Sequence, residues 1–569
     1  MKAQRLFLLV LWVVLVNTGA CRGARILGIF PTETKSHFAM YGTIMKALAA
    51  RGHHVTIATH FPEKSPRDNV TELDLSSDEK LLSVNMEYFR KMSYLDNIFD
   101  IIRFSLASCE QVLKNPEVLN VIKKKQFDLL VVEIFASDCF LAVAHKMGIP
   151  SIGLVSSVPL PWVNDMVALP ENTAYTPIYF FPFSQRMNFF SRLVNTLATV
   201  YAKVQYEIKS NWRSQELAGR VLGPVPPLRS LAQNFSMILV NSHLSLNQIR
   251  PSVPQLVEVG GLHIPRTIPP LPKDLKEFMD SSKDGVVFFS LGTIIPPNSL
   301  SNEVISTLYA ALGSLEQNVL WKIDGSLLPP LPPNVRTRTW LPQLSILCHP
   351  STRLFISHGG LLSIQESVHC GVPILGIPMF ADQNLNMAEL RDRGAALTLR
   401  YDDINNETLP HALHELLNVT SYRQNAARIS RIFRDRPQHP LDTAIYWVEY
   451  VLKFNGARHL RSPAHGLAWY QYLLLDVALF VAIFIYLIVL SVLYISTKVV
   501  QLIQMKPKII LTKYYGGKKL YIDCGLVKPF KTQNKNFTRN DKNQYSQMYN
   551  LKVNQKNVYM KVVICFSKF

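Results

Sequence analysis

The chain is 569 residues long, 48% of them hydrophobic, and carries a formal net charge of +19 at pH 7. This length allows two ordinary α/β domains with accessory segments. A charge of this size on a folded domain would favour a nucleic-acid partner, but residues 497–569 alone hold 15 Lys and Arg against two Asp. Because most of the excess charge lies in this tail, we expect no nucleic-acid partner.

The N-terminus has the organisation of a secretory signal peptide. Two basic residues precede an apolar run at residues 6–16, and small residues follow up to Ala20. We therefore predict a signal peptide at residues 1–20, with an uncut anchor as the alternative. In the secretory pathway, Asn-x-Ser/Thr sequences become acceptors for glycans. The candidate acceptors are Asn69, Asn234, Asn406 and Asn418.

Seven cysteines are scattered along the chain without a CxxC pair. This spacing specifies neither a zinc site nor a disulfide framework. We therefore expect buried, inert thiols and no metal site.

The mature chain opens with a strand, a helix and a second strand. The first strand is Arg25–Phe30, and the second, Val55–Thr59, follows an amphipathic helix. His37 stands at the start of this helix, whose positive end favours the neutral imidazole that a general base requires. A histidine at a helix start is also common as an exposed cap, so a catalytic role requires a partner group.

A base histidine usually needs a carboxylate that orients it. The apolar run Phe127–Val132 predicts a buried parallel strand, with Glu133 at its carboxyl end and Asp138 five residues further on. Both carboxylates are candidates. Further along, residues 159–200 are rich in aromatic residues and proline, which suits an apolar acceptor surface and a plain core equally well.

A proline-rich stretch follows the strands and helices predicted for the N-terminal half of the chain. We predict an interdomain linker at residues 251–280. Gly285–Gly292 then restarts the strand pattern and leads into a Ser-Leu-Gly-Thr turn. Such a turn at the carboxyl end of a strand can cradle phosphate. Its candidate residues are Ser290, Gly292 and Thr293.

The stretch Trp340–Asn386 predicts another strand-helix-strand unit, with a His-Gly-Gly turn before the helix. Gly359 and Gly360 let the backbone approach a ligand, and the N-terminus of the helix favours an anion such as phosphate. His358 can donate a hydrogen bond to that anion. The alternative is an ordinary crossover whose glycines serve tight packing. The predicted elements are a strand at Leu354–Ser357, a helix at Leu361–Cys370 and a strand at Ile374–Ile377.

Three further polar residues suit a sugar-bearing ligand. Glu366, one or two turns into the helix, can accept from a ribose hydroxyl. Asp382 and Gln383, in the loop after the second strand, suit the hydroxyl groups of a sugar ring. The carboxyl ends of parallel strands meet at one edge of a sheet, so these groups are predicted to share a site.

The central stretch resembles the signature of the UDP-glycosyltransferases, membrane-bound inverting enzymes that conjugate sugars to small lipophilic molecules, and it has an insect-like character. The resemblance covers residues 25–497 and implies an α/β GT-B fold of two facing Rossmann-like domains. It assigns acceptor binding to residues 25–250 and UDP-sugar binding to residues 281–455. The matching motifs are Trp340-x-Pro342-Gln343, Ser357-His358-Gly359-Gly360, Glu366, Gly371-x-Pro373 and Pro378-x-Phe380-Ala381-Asp382-Gln383.

The resemblance also implies residue roles. The base histidine of the family follows the first strand, which is the position of His37. The family's orienting carboxylate is typically an aspartate where this chain has Glu133, so either Glu133 acts at altered reach or Asp138 substitutes, and we favour Glu133. Trp340 would stack on uracil while Gln343 hydrogen-bonds the nucleoside. A second departure from vertebrate relatives is Leu362, where asparagine is common.

The implied chemistry is direct displacement with inversion, without a metal ion or other cofactor. UDP-glucose is the favoured donor, and a hydroxyl group of a small lipophilic molecule is the acceptor. UDP-glucuronate is the alternative donor. An alternative of another class is a membrane-anchored protein that binds UDP-sugar or a lipophile without turnover. A homo-oligomer remains open.

Residues 473–495 are almost purely apolar and long enough to cross a bilayer as a helix. Because a Lys-rich sequence follows, the positive-inside rule predicts lumenal domains and a cytosolic tail. The protein is thus expected to be a single-pass type I protein of the endoplasmic reticulum membrane. The tail, residues 497–569, is rich in Asn, Lys and Gln and is expected to be disordered.

Overall fold

The computed structural model describes residues 23–76, 88, 92–292, 300–325 and 328–504, together with the backbone of four strands nearer the C-terminus. The chain divides into two compact units, Met1–His465 and Gly466–Phe569. The first unit contains two parallel β-sheets with helices packed against them.

The first sheet has seven parallel strands in the order β3-β2-β1-β4-β5-β6-β7. The strand order changes direction between the neighbouring strands β1 and β4. The crevice at the carboxyl ends of these two strands is therefore the expected ligand position. The strands are β1 (Arg25–Ile29), β2 (His54–Thr59), β3 (Val70–Asp74), β4 (Leu129–Glu133), β5 (Ser151–Val155), β6 (Met237–Val240) and β7 (Leu256–Glu258).

Apolar cores lie on both faces of this sheet. Leu27 and Leu130 pack into one core, whereas their neighbours Ile26 and Leu129 pack into the other. This alternation explains why the strands read as nearly continuous apolar runs. The helices of this half are α1 (Lys35–Ala50), α2 (Asp96–Lys114), α3 (Pro116–Lys124), α4 (Leu141–Met147), α5 (Pro161–Met166), α6 (Phe189–Gln205), α7 (Trp212–Leu222) and α8 (Leu228–Ala232), with a 3-10 turn at Asp138–Phe140 and a π-helical turn at Tyr206–Asn211.

The second sheet has six parallel strands in the order β10-β9-β8-β11-β12-β13. Its central pair is β8 and β11, so a second crevice opens at their carboxyl ends. The predicted strand-helix-strand unit is present, with its helix at the predicted bounds. The strands are β8 (Val286–Ser290), β9 (Asn318–Lys322), β10 (Val335–Arg338), β11 (Thr352–Ser357), β12 (Ile374–Gly376) and β13 (Ala396–Thr398).

The last helix of the first unit packs on the first sheet, not the second. Ala444 and Val448 of this helix lie in the same buried core as Tyr41 of α1, and Glu449 accepts two hydrogen bonds from Arg51. The helices of this half are α9 (Lys273–Ser281), α10 (Asn302–Gly313), α11 (Gln343–Leu347), α12 (Leu361–Cys370), α13 (Gln383–Asp392), α14 (Thr408–Asn418), α15 (Thr420–Arg434) and α16 (Pro440–Lys453), with 3-10 turns at Tyr401–Asp403 and Arg458–Leu460.

The stretch predicted as a linker contributes to both domains. Strand β7 lies inside it and pairs with β6 of the first sheet. Helix α9 also lies inside it and buries Phe278 and Met279 in the core of the second domain. Prolines are frequent around these short elements, so the composition of the stretch predicted a linker and neither the strand nor the helix was predicted.

Four cysteines form two disulfide bonds, Cys109–Cys139 and Cys348–Cys370. The expectation of inert thiols is therefore wrong for these four residues. Each pair is separated by more than twenty residues, and only the folded helices bring the partners together. The other three cysteines lie outside the residues whose side chains are described.

The second unit contains the predicted apolar helix. It runs from Leu475 to Gln504 and is the one helix in the described part of the chain that is long and apolar enough to cross a membrane. At about 1.5 Å per residue its length exceeds the roughly 30 Å of a bilayer core. The helix also extends beyond residue 495, the predicted end of the membrane span.

The residues of the tail that the structure describes form four strands, where disorder was expected: β14 (Lys508–Tyr515), β15 (Lys518–Asp523), β16 (Tyr545–Gln555) and β17 (Val558–Ser567). They build an antiparallel sheet in the order β15-β14-β17-β16. Residues 509–511 of β14 pair with residues 562–564 of β17, and both are runs of Ile, Val and Leu. Segments rich in Ile, Val and Leu favour strands. The expectation of disorder was based on the polar composition of the tail as a whole.

Candidate active site

His37 and Glu133 form a hydrogen-bonded pair at the carboxyl edge of the first sheet. His37 lies in the first turn of α1, directly after β1, and Glu133 ends the neighbouring strand β4. The Nδ1 atom of His37 is 2.7 Å from Oε1 of Glu133. The histidine side chain is 18% exposed and the glutamate 1%, so the base faces solvent while its partner is buried.

The Glu133 carboxylate has two further donors. Tyr41 O–H donates to Oε1 at 3.2 Å, and the Thr32 N–H donates to Oε2 at 3.3 Å. The ring of His37 also meets the ring of Phe135 edge to face, with centroids 5.3 Å apart. The carboxylate and the imidazole are therefore both held in place before any substrate binds.

Asp138, the second candidate for orienting His37, lies elsewhere. Asp138 is 3% exposed and lies in the 3-10 turn after β4. Burial raises the pKa of Asp138 to about 7. The structure thus brings Glu133, and not Asp138, to the base.

The His-Gly-Gly turn packs tightly around its own histidine. A Cβ atom on Gly360 would lie 2.5 Å from Nε2 of His358, and one on Gly292 would lie 2.7 Å from its Cε1. Gly292 and Gly359 also have positive φ angles of 84° and 86°. Side chains at Gly292 and Gly360 would displace the imidazole, and a side chain at Gly359 would collide with Met387.

Burial lowers the pKa of His358 to about 4, with the charge of Lys322 adding to the effect. The imidazole is therefore neutral at neutral pH and can donate one hydrogen bond. It lines the cleft close to the N-terminus of α12, where the helix dipole favours an anion.

The Ser290 side chain stabilises the Ser-Leu-Gly-Thr turn after β8, which was predicted as a phosphate site. Ser290 is paired in register with Ser357 at the ends of β8 and β11. Each hydroxyl accepts a hydrogen bond from the N–H two residues on, Gly292 or Gly359, at 3.2 Å. The two serines thus shape matching turns on adjacent strands. Thr293, the third candidate of this cradle, lies outside the described residues.

Gln343 and Glu366 meet in the cleft. The Gln343 amide donates to Oε2 of Glu366 at 2.8 Å and to the Ser363 hydroxyl at 3.1 Å. Burial raises the pKa of Glu366 to about 7, and the Gln343 hydrogen bond and the Lys322 charge oppose this shift. Trp340 lines the same cleft with its side chain 64% exposed, so its ring face is open for stacking.

Asp382 and Gln383 line the same cleft as His37. Burial raises the pKa of Asp382, and the charge of His37 is among the effects that oppose this shift. The Gln383 carbonyl oxygen accepts from Met379 N–H at 2.8 Å and from Phe380 N–H at 3.2 Å. Its amide nitrogen is thus the part suited to a ligand.

The two domains touch at this loop. The N–H of Ala381 donates to the side-chain oxygen of Asn97 in α2, at 3.1 Å, and Ala381 has a positive φ of 54°. This hydrogen bond fixes the residue directly before Asp382 against the first domain. Sequence patterns could not reveal it, because the partners are 284 residues apart.

A single cleft of about 1200 Å³ joins these groups. It exceeds the roughly 300–1000 Å³ typical of small-molecule sites, so it has room for two substrates. Among the predicted residues it is lined by His37, Gly292, Trp340, Gln343, His358, Gly360, Glu366, Asp382 and Gln383.

Sequence reasoning missed several residues of the cleft, among them Lys322, Lys35 and His263. Lys322 ends β9, donates to Gly292 C=O at 3.1 Å, and has its pKa lowered by burial and by the nearby charge of Lys35. Lys35 stands two residues before His37. His263, in the linker, has Nε2 3.7 Å from Oε1 of Glu366. Lys322 could have been found, because it occupies the same carboxyl edge as the other polar residues.

Of the aromatic residues between positions 159 and 200, Tyr179 reaches the cleft. Its neighbours Trp162 and Phe180 are buried in the core of the first domain. By contrast, α6 exposes a row of large apolar side chains. All four predicted glycan acceptors are exposed, although the Asn234 side-chain oxygen accepts a hydrogen bond from Arg461.

Solved structures with the same fold are glycosyltransferases. The glycotransferase of kitacinnamycin has a TM-score of 0.53 at 17% identity, covering 75% of this chain and 99% of that structure. Spinosyn forosaminyltransferase SpnP has a TM-score of 0.52 at 19% identity, covering 76% and 99%. Two Rossmann-like sheets with a cleft between them define the GT-B fold, and the predicted fold class is confirmed.

The family model for UDP-glucoronosyl and UDP-glucosyl transferase matches residues 25–509, and the chain belongs to this family. UDP-glucosyltransferase 2 of Dactylopius coccus is 37% identical over 84% of this chain and 93% of the relative. UDP-glucuronosyltransferase 2A2 of Homo sapiens is 34% identical over 79% and 87%. The substrates are therefore a UDP-sugar and a small acceptor, and the apolar helix is consistent with membrane anchoring.

Proposed function

We propose that the protein transfers glucose from UDP-glucose to a hydroxyl group of a small lipophilic acceptor, with inversion and without a metal ion. His37 acts as the general base and Glu133 orients it. The observation that carries the proposal is the 2.7 Å contact between these side chains, with the base in the same cleft as His358 and Asp382.

The proton of the His37 ring resides on Nδ1, because a carboxylate can only accept a hydrogen bond. Nε2 therefore keeps its lone pair and takes the proton of the acceptor hydroxyl as the oxygen attacks the anomeric carbon. The bond from that carbon to the UDP oxygen breaks on the opposite face. The imidazolium that forms is stabilised by the Glu133 carboxylate.

The second domain stabilises the charge that develops on UDP. Neutral His358 donates a hydrogen bond, Lys322 supplies a positive charge, and the N-terminus of α12 adds its dipole. Trp340 stacks on uracil and Gln343 hydrogen-bonds the nucleoside. The remaining contacts of the donor are made by Glu366 to the ribose and by Asp382 and Gln383 to the sugar hydroxyls.

UDP-glucuronate is the second candidate donor. The name of the Dactylopius relative supports glucose and the name of the human relative supports glucuronate. Lys35 and Lys322 are cations able to pair with a uronate carboxylate, whereas the buried carboxyl group of Asp382 favours an uncharged ring. We favour glucose because Asp382 and Gln383, the residues assigned to the sugar ring, line the same cleft as the base His37 and provide no positive charge for a uronate.

A binding protein without turnover is the alternative of another class. This alternative is motivated by Glu133 and Leu362, which differ from the residues that the family resemblance implies at these positions. The hydrogen bond from His37 to Glu133 argues for turnover, because the longer side chain still reaches the ring.

We place the protein in the endoplasmic reticulum membrane, with both Rossmann-like domains in the lumen and the tail in the cytosol. The signal peptide, the apolar helix and the Lys-rich sequence after it support this orientation. The two disulfide bonds also suit an oxidising compartment.

The test uses microsomes that contain the full-length protein, radiolabelled UDP-glucose or UDP-glucuronate, and a panel of phenols. Transfer of glucose with retention of activity in Lys35→Met supports the proposal. Transfer of glucuronate alone, abolished by Lys35→Met, would support the second donor. Binding of UDP without transfer from either donor would contradict the proposal in favour of the binding protein.

A further inference from the structure

The disulfide Cys348–Cys370 joins two helices that carry donor-binding residues. Cys348 directly follows the last residue of α11, whose first residue is Gln343. Cys370 is the last residue of α12, one turn beyond Glu366 on the same helix face. The pair α11–α12 is thus linked covalently at one end, and the Gln343–Glu366 hydrogen bond of 2.8 Å links it at the ligand end.

Helix α11 has only five residues, too few to be stable alone. Its position depends on tertiary anchors, which are the buried side chains of Ile346 and Leu347 and a hydrogen bond of 2.8 Å from the Ser345 hydroxyl to Pro269 C=O. The disulfide is the covalent anchor among them. Trp340, just before this helix, is 64% exposed and has little packing of its own.

We propose that Cys348–Cys370 is a positioning device for the nucleoside half of the donor site. It holds α11 against α12, so that Trp340, Gln343 and Glu366 are arranged before UDP-sugar binds. This inference rests on the proposed use of a UDP-sugar donor. Because a prearranged site loses less conformational freedom on binding, removal of the disulfide weakens donor affinity and leaves the base undisturbed.

The chain offers a matched control in Cys109–Cys139. This disulfide joins α2 to the 3-10 turn after β4, inside the first domain, and both cysteines are fully buried. The residues Trp340, Gln343 and Glu366 lie outside both of these elements. If disulfides served stability alone, removal of either bond would lower the unfolding temperature and leave the affinity for UDP unchanged.

The experiment compares full-length Cys348→Ala/Cys370→Ala with Cys109→Ala/Cys139→Ala in microsomes, well below their unfolding temperatures. The expected result is a rise in the Kd for UDP of about three- to tenfold in the first variant only, the size expected for ordering a side chain on binding. The KM for UDP-glucose should rise alongside, with kcat at saturating donor close to wild type. Equal Kd values in wild type and both variants would overturn the inference.

A second measurement covers the case in which the first variant does not fold. Cys348 and Cys370 are partly exposed, so dithiothreitol should reduce their bond to two thiols, itself becoming a cyclic disulfide, before it reaches Cys109–Cys139. Mass spectrometry after alkylation identifies the reduced pair. Weaker UDP binding by this form supports the inference, and unchanged binding overturns it. A wild-type protein that binds no UDP would instead contradict the proposed function.

Discussion

The Nδ1 atom of His37 lies 2.7 Å from Oε1 of Glu133, although the two residues are 96 positions apart. The contact exists because β1 and β4 are neighbours in the sheet, and each residue follows or ends one of these strands. Glutamate is one methylene longer than the aspartate that the family resemblance implies here, and its carboxylate also accepts hydrogen bonds from Tyr41 O–H and Thr32 N–H. The departure from the family pattern therefore preserves the interaction that a base requires.

Replacing Glu133 with glutamine should reduce kcat by about 10²- to 10⁴-fold, because the amide neither fixes the Nδ1–H form nor stabilises the imidazolium. Asp138→Asn is the matched control, since Asp138 is buried in the turn after β4 and the hydrogen bond to the base is made by Glu133. Its kcat should stay close to wild type. Initial rates at saturating donor and acceptor measure both effects, and a larger loss in Asp138→Asn would contradict the assignment.

The affinity for UDP-glucose should increase as pH rises through about 7. Burial raises the pKa of Glu366 to about 7, so the carboxylate that accepts from a ribose hydroxyl forms progressively as pH rises through that value. Gln343, His263 and Lys322 face the same group; Gln343 does not titrate, and burial lowers the pKa of His263 to about 4. Isothermal titration between about pH 6 and pH 8 measures the trend, which Glu366→Gln should abolish.

The raised pKa of Glu366 also determines how the stability of the fold depends on pH. Because the folded-state pKa of Glu366 lies above its unfolded value, its favourable contribution is complete below the unfolded pKa and is lost as pH rises through about 7. The ligand-free protein should therefore gain stability at alkaline pH when Glu366 is changed to glutamine. Identical pH profiles of unfolding temperature in both proteins would argue against a buried, titrating Glu366.

Gly360→Ala should weaken UDP binding by displacing His358, since the new Cβ would lie 2.5 Å from its Nε2. Gly292→Ala should be worse, because its positive φ of 84° adds backbone strain. The control is Gly219→Ala in α7, where a Cβ would meet nothing within 4 Å. That change should stabilise the fold by up to about 1 kcal/mol and leave UDP binding unaltered, as calorimetry and titration can show.

Much of the donor site could be predicted from sequence because its residues are local. The run from Trp340 to Gln383 carries one strand-helix-strand unit, and a regular unit places His358, Glu366 and Asp382 at one sheet edge. The helix Leu361–Cys370 therefore has its predicted bounds.

The rest depends on contacts between distant segments. The choice of Glu133 over Asp138 depends on the path of the chain after β4, where Asp138 enters a buried 3-10 turn at Asp138–Phe140. The disulfides and the Asn97–Ala381 hydrogen bond likewise join residues whose spacing carries no pattern.

The account depends most on His37 as the base, and His37→Ala tests it directly. Transfer from UDP-glucose and the affinity for UDP are measured on the same full-length preparation. We predict that kcat falls by at least about 10²-fold while the Kd for UDP stays near the wild-type value, because His37 lies in the first domain. Transfer at the wild-type rate by His37→Ala would contradict the account.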